Sequence, residues 1–260
     1  MRIAAYPFPS CGKIEENIAH IRRGTMLAAA AGARLVCFHE CALTGYPPIE
    51  TPMDAVTEET AACGVESVRR IAMEYGLCAL FGTVWYEEGK RYNAALAFNE
   101  RGEEICRYGK RALWGWDEEN FVPGVSEGVF DLDGLRIGIR ICFDVRFPEL
   151  FRPLFIRRAD LCVTLFSDTT ETPDPERRAV ITGHLRTRAA ENVMQFISVN
   201  SLSRCHAVPA AWIDQNGKLV KQTDVEELLI CDVNAPKEDF GMRGRRVNAE
   251  RFLKMRETDG

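Results

Sequence analysis

No stretch of this 260-residue chain stays apolar for long enough to cross a bilayer. The longest candidate, Met26-Leu27-Ala28-Ala29-Ala30-Ala31-Gly32-Ala33, stops at Arg34, well short of the roughly 20 residues that a spanning helix needs. A basic block is missing too. The 33 basic and 38 acidic residues, a net charge of −5, are spread along the chain, which argues against nucleic acid or an anionic membrane surface as partner. There is no C-x-x-C pair and no Asn-x-Ser/Thr site, so neither a simple zinc or redox motif nor glycosylation is signalled. No metal and no cofactor are expected. Short repeats, low-complexity tracts and linkers rich in Gly, Pro or Ser are also absent, and the chain reads as one domain over residues 1–260.

What is present suits a large packed core. Hydrophobic residues make up 46% of the sequence, enough for a domain that needs no crosslinks. The ten cysteines sit in apolar runs such as Leu35-Val36-Cys37-Phe38 and Asp160-Leu161-Cys162-Val163, where a reduced thiol is an ordinary core group. The opening segment Arg2-Ile3-Ala4-Ala5-Tyr6 reads as a strand and not as a leader. Together these set the expectation of a cytoplasmic protein.

Helical spacing at Ile14, Ile18 and Ile21 followed by the strand candidate Arg34 to Phe38 gives a β-α-β start. A second helix is predicted from about Glu58 to Tyr75. Strands follow at Leu77 to Tyr86, Tyr92 to Phe98 and Glu103 to Tyr108, parted by turns at Glu88-Gly89 and Glu100-Arg101-Gly102. The later half repeats the layout, with strands at Leu135 to Cys142, Asp160 to Phe166, Gln195 to Val199, Val208 to Ile213 and Leu228 to Val233, and a helix from about Arg177 to Glu191. Two sheets, each with helices on one face, bury themselves by stacking on each other, so the predicted fold is α/β, a four-layer α-β-β-α sandwich. The charged tail from Asp239 to Gly260 reads as a C-terminal arm or a partner contact.

Among the cysteines, Cys142 alone ends an apolar strand at a turn into a helix. A helix N-terminus there would lower the thiol pKa and favour the thiolate, as a nucleophile requires. The surrounding residues, Gly138-Ile139-Arg140-Ile141-Cys142-Phe143-Asp144-Val145-Arg146-Phe147-Pro148-Glu149, closely resemble the nucleophile motif of the nitrilase superfamily of carbon–nitrogen hydrolases. Other parts of that family's signature follow in order. Phe38-His39-Glu40 with Leu43-Thr44-Gly45-Tyr46 resembles the segment of the general-base glutamate, and Tyr108-Gly109-Lys110 with Leu113 that of the catalytic lysine. Arg186-Thr187-Arg188-Ala189-Ala190-Glu191-Asn192 is similar to a downstream family helix. His39 stands where the family usually has Pro, and Gly109 where Arg commonly precedes the lysine.

The resemblance implies a nitrilase-like sandwich and an amidase-type hydrolase that uses Cys142, Glu40 and Lys110. It also implies a second glutamate between the lysine and the nucleophile strand. Asp117, Glu118 and Glu119 occupy that segment, and spacing from Lys110 favours Glu118, then Glu119. Phe143 and Arg146 flank the nucleophile and are candidates for substrate contact, with Trp114 a candidate pocket wall. Arg146 suits a carboxylate-bearing amide or an internal pair with Asp144 or Glu149. His184 and His206 are read as structural. The partner is a small amide or carbamoyl compound. Nitriles are less favoured, because Cys142-Phe143-Asp144 differs from the C-W-E of nitrile hydrolysers. Rival readings are a catalytically silent binding protein and a thiol redox enzyme. By the family's habit a homodimer or higher homo-oligomer is expected.

Overall fold

The computed structural model describes residues 1–235 and 240–258. The chain starts with β1 (Arg2–Ala5), α1 (Ile14–Ala30), β2 (Leu35–Cys37), α2 (Glu58–Tyr75) and β3 (Cys78–Glu87). Next come β4 (Lys90–Phe98), β5 (Glu104–Gly109), the short α3 (Trp116–Asn120), β6 (Val129–Leu132) and β7 (Leu135–Ile141). The second half holds α4 (Arg152–Ile156), β8 (Leu161–Phe166), β9 (Thr169–Thr170), α5 (Pro175–Asn192), β10 (Gln195–Asn200) and β11 (Cys205–His206). It closes with β12 (Ala210–Ile213), β13 (Leu219–Thr223), β14 (Leu229–Asp232) and α6 (Phe240–Thr258).

Local chemistry sets many of these boundaries. Thr57 and Thr60 form a capping box that starts α2, and Gly76, at φ 64°, ends it. Asp174 caps α5 by accepting from the Arg177 amide at 2.9 Å, with Pro175 in the first turn. Glu88 and Gly89 both take positive φ, the geometry of a two-residue hairpin whose twist matches the paired strands, and β3 and β4 pair in register across them from Glu87–Lys90 to Ala79–Phe98.

Two six-stranded sheets result, ordered β14-β1-β2-β3-β4-β5 and β13-β12-β10-β8-β7-β6. The parallel pairs β1–β2 and β2–β3 are joined through α1 and α2, whose apolar faces pack with Tyr6, Val36, Phe38 and Phe81 on the outside of the first sheet. On the far side α4 and α5 cover the second sheet through Phe151, Leu154, Ile181, Leu185 and Phe196. Between the sheets lies a third core that joins Ile3, Leu35 and Leu80 to Ile137, Ile139, Val163 and Ile197. The four α-β-β-α layers are those the sequence predicts.

Three features differ from the sequence reading. Strand β13 and the two-residue ladder of β9 with β11 are too short or too polar to carry a periodic signal. Strand β14 leaves its neighbours in sequence and pairs antiparallel with β1, tying the end of the sandwich to its beginning. Residues 240–258 of the predicted arm form a 19-residue helix, while Asp239 and residues 259–260 lie outside the described residues. No helix among the described residues is long and apolar enough to cross a membrane.

Candidate active site

Strands β2, β5, β7 and β8 all end on one side of the stacked sheets, and the residues just past their ends converge. Glu40 follows β2, Lys110 follows β5, Cys142 follows β7 and Ser167 follows β8. Lys110 Nζ lies 2.8 Å from Glu40 Oε1 and 2.6 Å from Asp117 Oδ2. Asn93 Nδ2 also donates to Glu40 Oε1, at 2.7 Å, and the Ser167 amide donates to Oε2 at 2.7 Å. Tyr46 donates through its hydroxyl to Asp117 Oδ1 at 2.9 Å. Glu40, Lys110 and Asp117 are at most 1% exposed, so each charge depends on its partners and not on water.

Two glycines permit this convergence. A Cβ on Gly82 would fall 2.4 Å from the Cys41 amide nitrogen and 2.5 Å from the His39 carbonyl oxygen; only glycine lets β3 run against the Glu40 turn. One on Gly124 would meet the Gly109 carbonyl oxygen at 2.2 Å, where the Gly124 amide bonds the Lys110 carbonyl and fixes that segment.

The acid that reaches Lys110 is Asp117, and this corrects the assignment by spacing: Glu118 and Glu119 are exposed and make no contact with the lysine. Consecutive residues of a helix point about 100° apart, so only one of the three can face inward. Asp117 shares its face of α3 with the buried Phe121, four residues on. That i, i+4 relation is the signal available in the sequence. Asn93, Tyr46 and Ser167 carry no such signal, because their roles depend on the meeting of strands from both sheets.

Cys142 sits at φ 44°, a left-handed conformation that aims its side chain out of the strand. It opens into a cavity of about 70 Å³ lined by Glu40, Tyr46, Ile49, Lys110, Trp114, Phe143, Arg146, Ser167, Asp168 and Arg177, among others. Trp114, Phe143 and Arg146 are thus among the residues that line the cavity. The Arg146 guanidinium stacks over the Phe143 ring at 5.7 Å and forms no ion pair with Asp144 or Glu149. A larger cleft of about 760 Å³ between α6 and Pro148–Arg152 contains none of the clustered groups, so the smaller cavity is the candidate site.

The electrostatics differ from the expected preformed thiolate. Burial chiefly, then the charge of Glu40, pushes the Cys142 thiol well above its ordinary range, against the pull of Lys110. The turn that follows is a five-residue 3-10 segment, Cys142–Arg146, too short to act as a strong helix dipole. Burial also raises Glu40, with Lys110 opposing. For Lys110, burial works against the charged form, but Glu40, Cys142 and Asp117 outweigh it and hold the ammonium well above its usual value. The arrangement sets a thiol, a carboxyl group and an ammonium group together in the wall of one cavity. Among the described residues no group of three or more His, Cys, Asp or Glu is placed to hold a metal.

The sequence profile of the family described as carbon-nitrogen hydrolase matches residues 2–238. The chain is 30% identical over 168 residues, 62% of its length and 57% of the relative's, to a protein of Pseudomonas protegens named "Hydrolase in pqqF 5'region". It is 31% identical over 133 residues, 47% of its length and 48% of the relative's, to omega-amidase NIT2-A of Xenopus laevis. The chain thus spans about half the length of these curated relatives. A solved structure of a mutant amidase from Nesterenkonia sp. AN1, showing Michael addition of acrylamide at the active site cysteine, superposes with a TM-score of 0.82 at 24% identity, covering 97% of this chain and 99% of that one; this likeness concerns the fold. With its profile match over nearly the whole sandwich, the chain belongs to the carbon-nitrogen hydrolase family.

Proposed function

We infer that the chain is an amidase-type hydrolase acting on a small linear amide or carbamoyl compound through a thioester on Cys142. The observation that carries this reading is the pairing of Glu40 with Lys110, 2.8 Å apart, in the wall of the cavity into which Cys142 opens. Amide carbon is a poor electrophile, so attack requires a base for the thiol proton and a cation for the oxyanion. Glu40 takes the proton as Cys142 Sγ bonds to the carbonyl carbon. Lys110, with the Phe143 backbone N–H, receives the developing oxyanion. Collapse of the tetrahedral adduct breaks the C–N bond, and Glu40 returns the proton to the leaving ammonia or amine. A water activated by Glu40 then cleaves the thioester and releases the acid and the thiol.

Size and charge narrow the substrate. The cavity, at about 70 Å³, is far below the few hundred Å³ of sites for drug-sized ligands and accepts an acyl group of few heavy atoms. Arg146 lines it and has no acid partner among the described residues, whereas Arg177 holds Asp168 through two nitrogens, at 2.6 and 3.1 Å. A carboxylate at the far end of the substrate supplies the missing partner of Arg146, which agrees with the omega-amidase name of the Xenopus relative. Association as a homodimer is part of the same reading. Val247, Phe252 and Met255 on α6 are all more than half exposed, and covering them would remove apolar surface from water; sedimentation of the full chain tests this.

The test of function is ammonia release from a panel of small amides, carbamoyl compounds and nitriles, with Cys142→Ala alongside. Release from an amide that carries a carboxylate, lost in Cys142→Ala, supports the reading. Release unaffected by Cys142→Ala sinks the mechanism, and no release from any compound turns the weight to a binding protein.

A further inference from the structure

Asp144 lies two residues past the nucleophile and is fully buried, yet it does not line the cavity. Its carboxylate accepts four hydrogen bonds. Oδ2 takes the Ile141 amide at 2.9 Å and the Tyr108 hydroxyl at 2.8 Å. Oδ1 takes the Ala112 amide at 2.8 Å and the Arg111 amide at 3.3 Å. Ile141 precedes Cys142, Arg111 and Ala112 follow Lys110, and Tyr108 is on the strand that leads to it. One side chain therefore grips the backbone on both sides of the sandwich, next to the two groups whose separation the chemistry depends on.

We propose that Asp144 is a positioning residue that holds Cys142 in its left-handed turn and in register with Lys110; its kinetic consequence rests on the hydrolase reading, its structural one does not. A non-glycine residue at φ 44° persists only where its surroundings over-determine it. The bond from the Ile141 amide back to Asp144 closes the turn around Cys142 and supplies that constraint. The choice of a carboxylate is informative, because among the described residues Asp144 has no cationic partner in an ion pair. Burying a charge on neutral donors is costly, and burial raises this carboxyl while the bonds from Ile141, Ala112 and Tyr108 pull it back. All four partners are donors, so an acceptor-only group satisfies every one. An asparagine would turn an NH₂ toward backbone N–H groups and release part of the grip.

Beneath this carboxylate is a second buried layer. The Arg140 guanidinium lies 5.0 Å from the Tyr108 ring and donates to the carbonyl oxygens of Glu127 and Leu150. Tyr108 is thereby fixed from below and Asp144 from four directions. The bond network runs from the strand that carries the nucleophile to the segment that carries the cation without entering the cavity.

The test uses full-length Asp144→Asn and Tyr108→Phe. Alkylation of Cys142 by iodoacetamide is followed across pH on its own peptide by mass, with thermal unfolding recorded for each variant. Removal of a negative charge alone would lower the thiol pKa and speed alkylation. Loss of position separates the thiol from Lys110 and does the opposite. The expected result for Asp144→Asn is alkylation slowed about tenfold near neutral pH, with the profile moved to higher pH by about one unit, and a smaller change of the same direction in Tyr108→Phe. Folded Asp144→Asn that reacts at the wild-type rate or faster overturns the proposal. If Asp144→Asn does not fold, Tyr108→Phe decides: slowed alkylation supports the proposal and the wild-type rate overturns it. Where an amide substrate is in hand, kcat falls about 100-fold with KM little changed, as for a small misplacement of reacting groups. Should the wild type turn over no amide, the hydrolase reading fails and the alkylation rates still decide the role of Asp144.

Discussion

At the floor of the cavity, Glu40, Lys110 and Asp117 are almost wholly buried, and both oxygens of Glu40 are occupied by Lys110, Asn93 and the Ser167 amide. At its rim, Trp114 is 44% exposed and the Arg146 guanidinium lies over the Phe143 ring at 5.7 Å. The floor is built from both sheets and is preorganised. The rim comes from a loop and a 3-10 turn and leaves polar capacity unused. Groups that perform the same step on any amide need fixed geometry and exclusion of water, whereas groups that choose the amide need surface still free to bind. Under the proposed hydrolase reading, the contrast separates chemistry from selection within one small cavity.

The sharpest way to break this comparison is to remove the cation of the floor. Lys110→Ala leaves Glu40 and Asp117 as like charges buried together. The expected loss is about 3–5 kcal/mol of stability in urea unfolding and all measurable turnover; Trp114→Ala at the rim is expected to stay within about 1 kcal/mol. Similar losses at both positions would erase the distinction. Next in size is the choice of acid. Asp117→Asn is expected to lower kcat about 100-fold through misplacement of Lys110, and Glu118→Gln to leave it within about twofold; the reverse order in steady-state kinetics would restore the assignment by spacing.

Arg146→Ala sharpens the selection side. Loss of a charge-assisted contact of about 1.5–3 kcal/mol raises KM for a carboxylate-bearing amide by roughly 10–100-fold, with kcat nearly unchanged and uncharged amides unaffected. Equal effects on charged and neutral substrates would remove Arg146 from selection. The smallest effect expected is on the pH profile. Burial raises Glu40 above the ordinary carboxylate range, so its base form is lost at a higher pH than for a free glutamate. The acid limb of kcat/KM then lies above the usual range near pH 4.3; a limb at or below that value would contradict the buried base.

Much of this site is legible in the sequence through the family resemblance of the segments around Glu40, Lys110 and Cys142; without it only Cys142, at the end of an apolar strand, stands out, whereas Lys110 follows the charged strand Glu104–Gly109 and reads as a surface residue. The four layers are legible because helices with one apolar stripe and strands buried on both faces leave few arrangements. What escapes is set by geometry between segments. Asp117 is told from Glu118 only by which face of a five-residue helix turns inward. Asn93, in β4, reaches Glu40 because β3 and β4 pair in one register. The Cys142 thiol is pushed up and not down because burial, with Glu40, exceeds the pull of Lys110, a balance of magnitudes that a motif does not contain. The helical state of residues 240–258 escapes because charges on most faces blur its periodicity.

The most direct test of the central claim is the mass of the full-length protein quenched in acid during turnover of a small carboxylate-bearing amide, with the modified peptide located by fragmentation. The account expects an increment equal to the substrate's acyl group on the peptide that contains Cys142, absent from Cys142→Ala. Turnover that continues in Cys142→Ala, or an acyl group found on any other residue, would contradict it.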